Sequence, residues 1–97
     1  MYEFSNDVYV EIAQRLLEAI GSSDYFNGVV AYDDEDVCCR LRTTIVVRTR
    51  RIPTLLPTII TEREIVPVWW DMTTEMGSEE LTNDFSFGEM MDALRLT

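Results

Sequence analysis

The chain has 97 residues, 46% of them hydrophobic and 27% charged, with a formal net charge of −10. Length allows a single α+β domain over residues 1–97 with one modest core, and this composition excludes a disordered or fibrous chain; no apolar run approaches the roughly 20 residues of a transmembrane helix. Histidine and lysine are absent and all 8 cations are arginine, so His-based triads, His–metal sites, lysine Schiff bases and P-loop phosphate binding each lack a required residue type.

The first predicted element is a helix over residues 6–20. Ser5 or Asn6 can serve as its N-cap, and Asp7 suits the positive first turn. Tyr9, Ile12, Ala13, Leu16, Leu17 and Ile20 form one apolar stripe, and Glu11 and Arg15 make an i, i+4 pair away from it. Gly21 sits where a C′ glycine would end the helix.

The hydrophobic period then drops from 3.6 to 2. Residues 26–32 read as a strand, and Asp33-Asp34-Glu35-Asp36 as a solvated turn. Residues 37–50 read as a second strand, long enough to need a bulge near Thr43-Thr44. The two prolines of Ile52-Pro53-Thr54-Leu55-Leu56-Pro57 break the pattern. A third strand follows over residues 58–70, placed at a sheet edge by Pro67 inside it. Residues 71–77 read as a loop and Ser78–Leu81 as a short helical turn. Ser86-Phe87-Gly88-Glu89 is a capping box that opens a helix over 87–96.

Helix, three strands and helix make a two-layer α+β fold: an antiparallel meander with both helices on one sheet face. Pairing about the acidic turn is expected to set Tyr32 opposite Cys38, Val30 opposite Arg40 and Gly28 opposite Arg42. Pairing about residue 55 is expected to set Arg50 opposite Ile60, Arg48 opposite Glu62, Arg42 opposite Val68 and Arg40 opposite Trp70. Odd positions then form the face under the helices: Val29, Ala31, Val37, Cys39, Leu41, Ile45, Val47, Ile59, Ile65 and Trp69. Even positions form the second face, where Phe26, Val30, Tyr32, Val46, Ile60, Val66, Val68 and Trp70 alternate with Arg40, Arg42, Arg48, Arg50, Glu62 and Glu64. Aromatic and β-branched residues with arginines among them have the composition of an interface. The candidate binding residues are therefore Arg40, Arg42, Arg48, Arg50, Trp70, Tyr32 and Phe26, with Trp70 as the anchor and Trp69 in the core.

Charge is segregated along the chain. Residues 1–37 carry a net −8, residues 38–63 a net +5 and residues 64–97 a net −7. Internal pairing of the central arginines with both acidic arms is one expectation, and an arginine-lined recognition surface is the other. Overall acidity argues against general nucleic-acid binding.

No catalytic residue, cofactor or metal is assigned. The acidic turn lacks the D-x-D-x-D-G spacing of a calcium loop, and no G-x-S-x-G elbow or glycine-rich phosphate loop occurs. Cys38 and Cys39 are adjacent, point to opposite faces of a strand and cannot form an ordinary disulfide with each other. Met1-Tyr2-Glu3-Phe4 is not the basic start of a secretory signal, so two reduced thiols in a cytoplasmic protein are expected. The leading function is a non-enzymatic protein-interaction module that pairs with itself as a homodimer or with another protein, and no membrane partner is expected. Two alternatives come from other classes. One is an acidic nucleic-acid mimic that occupies a DNA-binding protein. The other is a single-strand nucleic-acid binder that uses the arginine–aromatic sheet face.

Overall fold

The computed structural model describes residues 1–55 and 59–96. The predicted break at Leu56-Pro57, the strand start at residue 58 and the side chain of Ile59 lie outside the described residues. The elements are α1 (Asn6–Ile20), β1 (Tyr25–Asp34), β2 (Val37–Pro53), β3 (Ile59–Met76), β4 (Glu79–Leu81) and α2 (Phe87–Leu96). The strands form one antiparallel sheet in the order β1-β2-β3-β4. The class is α+β as expected, with one strand more than the sequence suggested.

α1 begins and ends where its local signals place it. Ser5 is the N-cap, but it caps through its carbonyl, which accepts from the Val8 and Tyr9 N–H groups at 3.1 and 3.2 Å; its side chain makes no cap bond. Gly21 takes a φ of +56°, and its N–H donates to the Leu17 carbonyl at 2.9 Å. A side chain there would be strained, which is why glycine closes this helix. Arg63 reaches over from β3 and donates to the Gly21 and Ser23 carbonyls at 3.1 and 3.0 Å, satisfying acceptors the helix end leaves open. In α2, half of the capping box forms. The Ser86 Oγ accepts from the Glu89 N–H at 3.4 Å, while the Ser86 N–H donates to the Tyr9 hydroxyl at 2.9 Å instead of to Glu89. The first bond therefore caps α2, and the second ties it to α1.

The expected helical turn at 78–81 is a strand, and the expected loop at 71–77 is the continuation of β3. Tertiary pairing overrides the acidic, glycine-containing composition of this stretch. β3 runs to Met76 because β2 offers ladder partners all the way to Val37, and β4 then pairs with Thr74–Met76 across the Gly77-Ser78 turn. Gly77 supplies the turn's φ of +63°. The chain start closes this end: Tyr2 bridges to Asn83, its N–H donating to the Thr82 carbonyl at 2.8 Å.

The core lies between the helices and one sheet face. Tyr9, Ile12, Ala13, Leu16 and Ile20 of α1 and Met90, Ala93 and Leu94 of α2 pack with Val30, Val37, Cys39, Leu41, Ile45, Val47 and Met72. Two threonines are fully buried there, and each is satisfied. Thr43 Oγ1 donates to the Trp69 carbonyl at 2.9 Å, and Thr74 Oγ1 donates to the Leu81 carbonyl at 2.8 Å. Beyond Val47 and Ile65 the helices stop. Thr49, Arg51, Thr61 and Arg63 on the same face of the β2–β3 hairpin are exposed, and the molecule is drawn out to 57 × 23 × 18 Å.

Candidate interaction face

Three strands of the sheet leave one face uncovered, and two local events decide which residues lie on it. The first is the β1–β2 turn. Asp34 pairs with Val37, so the loop is the two residues Glu35-Asp36, closed by Glu35 at a φ of +53°. That register sets Tyr32 opposite Cys39, Val30 opposite Leu41 and Gly28 opposite Thr43, one residue from the expected pairing. A strand's faces alternate residue by residue, so this step reverses β1. Phe26, Val30 and Tyr32 turn beneath the helices, and Tyr25, Asn27, Val29 and Ala31 face out.

The second event is a bulge between β2 and β3. Thr44 pairs with Trp69 and Ile45 with Pro67, leaving Val68 as the extra residue on β3. The register shift falls beside the Thr43-Thr44 step where a bulge was expected, although the inserted residue belongs to the other strand. Before it, Arg48 pairs with Glu64 and Val46 with Val66; after it, Thr43 pairs with Trp70 and Leu41 with Met72. The two tryptophans thereby exchange their expected positions. Trp70 lies on the helix side and Trp69 on the open side. Pro67 sits where β3 is the outer strand, since β4 pairs only with Thr74–Met76.

The expected binding residues therefore divide between the two faces. Arg40, Arg42, Arg48 and Arg50 do share the open face, but Phe26, Tyr32 and Trp70 do not join them. The Phe26 ring lies over Gly28, within 3.1 Å of where a Cβ would stand, and packs on the core. Tyr32 lies under the Arg15 guanidinium at 5.2 Å, and the same guanidinium donates to the Ala31 carbonyl on the β1 edge at 2.7 Å. Trp70 stacks on Phe87 at 5.6 Å and 7° and meets Phe85 edge-on at 6.1 Å.

Row by row, the open face reads Tyr25–Val46–Val66, then Asn27–Thr44–Trp69, then Val29–Arg42–Asp71, then Ala31–Arg40–Thr73. Towards the hairpin tip follow Arg48–Glu64 and Arg50–Glu62. Tyr25, Val29, Val68 and Trp69 are 58, 51, 62 and 48% exposed, while Val46 and Val66 are half-buried between them. An apolar middle is thus bordered at both ends by arginines with carboxylates on the neighbouring strand. The Glu64 carboxylate lies 3.5 Å from Arg48 and 4.0 Å from Arg50, so part of the expected internal pairing forms. Among the described residues, Arg40 and Arg42 make no ion pair within 4.0 Å. Tyr25, Val29 and Trp69 are the residues that sequence reasoning missed. The unbroken apolar run Ile65–Trp70 around Pro67 was the sign that alternation fails there.

Among the described residues, no three His, Cys, Asp or Glu side chains converge as metal ligands. Both thiols are unpaired with one another; burial first, then the carboxylates of Asp34 and Asp33, push Cys39 up to about 11, while Asp33 raises Cys38. Neither thiol therefore has the depressed pKa of a nucleophile. A cleft beside Leu17, Ile65, Met91 and Leu94 is edged by arginines and glutamates of mixed sign. Among the described residues, no helix is long and apolar enough to cross a membrane. No family model, no curated protein and no solved structure matches the chain.

Proposed function

We propose that this protein is a small, one-domain acidic interaction module that acts by binding protein through the open face of its sheet, and that it self-associates there. The observation that carries this reading is the apolar middle of that face, Tyr25, Val29, Val46, Val66, Val68 and Trp69, bordered by Arg40, Arg42, Arg48 and Arg50. A contiguous exposed apolar patch marks an interaction site, and a tryptophan in an apolar centre with arginines around it is the usual arrangement of binding energy. Two helices cover one face of this sheet, and a second layer over the other would complete a sandwich. The carboxylates of Asp33, Glu62, Glu64, Asp71 and Glu75 stand among the arginines and would repel phosphates, which favours protein over a nucleic-acid strand. Equally, arginines between the carboxylates interrupt the rows of negative charge that a nucleic-acid mimic requires. Two free thiols fit a reducing compartment such as the cytoplasm.

Sedimentation tests the reading. The wild type is expected to sediment as a dimer at about 100 μM, and Trp69→Glu as a monomer with unchanged far-UV CD. Val29→Glu should act in the same way from the other side of the patch. A wild type that is monomeric at that concentration, or a Trp69→Glu dimer of unchanged affinity, removes the open face from the function.

A further inference from the structure

The charge layout of the open face disfavours two ways for two copies to meet and favours a third. All four arginines stand on β2, and the nearest carboxylates stand in the same rows on β3: Asp71 beside Arg42, Glu64 beside Arg48 and Glu62 beside Arg50. A two-fold dimer must match the face with itself. When sheets pack face to face, the two sets of strands stay roughly aligned, about 30° apart. A two-fold axis over β2 and parallel to it lays each arginine on its own copy. An axis at right angles to the strands lays Arg42 on the partner's Arg48. Both arrangements bury like charges against each other, a strongly unfavourable juxtaposition.

We infer that two copies associate about a two-fold axis running along the line between β2 and β3, so that β2 of each copy lies over β3 of the other; this rests on the self-association proposed above. Every row then becomes complementary. Arg42 faces Asp71 of the other copy, and Arg48 faces Glu64 of the other copy. In the middle, Val46 lies over Val66, and the indole of Trp69 lies over Thr44, within reach of Asn27 and Val29 on β1. Arg42 and Asp71 are ladder partners, yet among the described residues they make no ion pair within 4.0 Å, which leaves both side chains able to pair across the interface. The rows nearest the axis centre keep this match best, because the roughly 30° crossing angle moves distant rows apart.

Mixing charge-reversed variants tests the geometry. In Arg42→Asp alone, and in Asp71→Arg alone, each dimer would hold two like-charged contacts, and self-association should fall by at least about tenfold. Mixed in equal amounts, the two variants should form a heterodimer with one copy of each, because both contacts become opposite in charge. Native mass spectrometry reads the composition directly, and far-UV CD reports whether each variant is folded. Arg48→Glu mixed with Glu64→Arg asks the same question one row beyond the apolar middle, and it replaces the first pair if either of those variants unfolds. Tighter self-association of Arg42→Asp would mean that the strands cross in the inverted order, with residue 42 over Arg48, and would overturn the axis. If the wild type dimerises and Trp69→Glu does not, but neither mixture recovers a heterodimer, the axis is wrong while the open face stands. A monomeric wild type overturns both.

Discussion

The Tyr2 hydroxyl donates to Oδ2 of Asp34 at 2.7 Å, joining the start of the chain to the end of β1 across the buried thiol of Cys39. Burial, reinforced by the neighbouring carboxylate, raises the Tyr2 pKa well above 10.0 and that of Cys39 from 9.0 to about 11. Both groups hold their protons more tightly in the folded chain than in the unfolded one. Their stabilising contribution is complete below the unfolded values and is lost as pH rises past them. Stability is therefore expected to fall from about pH 9 upward, first through Cys39 and then, above about pH 10, through Tyr2. Tyr2→Phe should cost about 1–2 kcal/mol at neutral pH and flatten the decline above pH 10. Urea titrations across the alkaline range measure both effects, and a flat profile in the wild type would contradict this account.

Leu16 is fully buried beneath the sheet in the middle of α1. Leu16→Ala is expected to destabilise by about 2–5 kcal/mol, through lost transfer energy and the cavity left behind. Denaturant unfolding measures it. A loss below about 0.5 kcal/mol would mean that the α1 stripe does not form the core.

The two tryptophans should respond in opposite ways. Trp70→Ala removes the ring that stacks on Phe87 and meets Phe85, and should lower stability by roughly 2 kcal/mol, less than for a fully buried aromatic. Trp69→Ala lies on the open face and should change the stability of the monomer by no more than about 0.5 kcal/mol. Unfolding of both variants under dilute conditions compares them without a contribution from association. The reverse order of effects would place Trp69 in the core and the bulge elsewhere.

Val68 is the extra residue that sets the phase of β3. Its deletion would leave β3 in one continuous register with every flanking pair kept: Ile65, Pro67, Trp70 and Met72 stay beneath the helices, and Val66 and Trp69 stay on the open face. Denaturant unfolding of the deletion is expected to show a change of no more than about 1 kcal/mol, and Val68→Thr, which keeps the bulge, should stay within about 0.5 kcal/mol. A loss of roughly 3 kcal/mol or more in the deletion would mean that one flank of β3 has reversed its faces and that the unpaired residue lies elsewhere.

The elements whose signals are local are legible in the sequence before any tertiary contact is considered. The stripe from Tyr9 to Ile20 and the glycine after it define α1, the Ser86–Glu89 spacing opens α2, and the alternation from Val37 to Val47 sets which side of β2 is buried. The sequence also placed the four arginines together, because all of them share one parity on one strand. What stands beside them depends on how the strands pair. β1 takes its phase from a two-residue turn held at Glu35, and β3 takes its phase from one unpaired residue at Val68. Both are pairing choices between segments, and neither changes the composition of a strand. Because a strand's faces exchange with every single residue, these two choices carried Phe26, Tyr32 and Trp70 under the helices and turned Tyr25, Val29 and Trp69 outward to complete the open face.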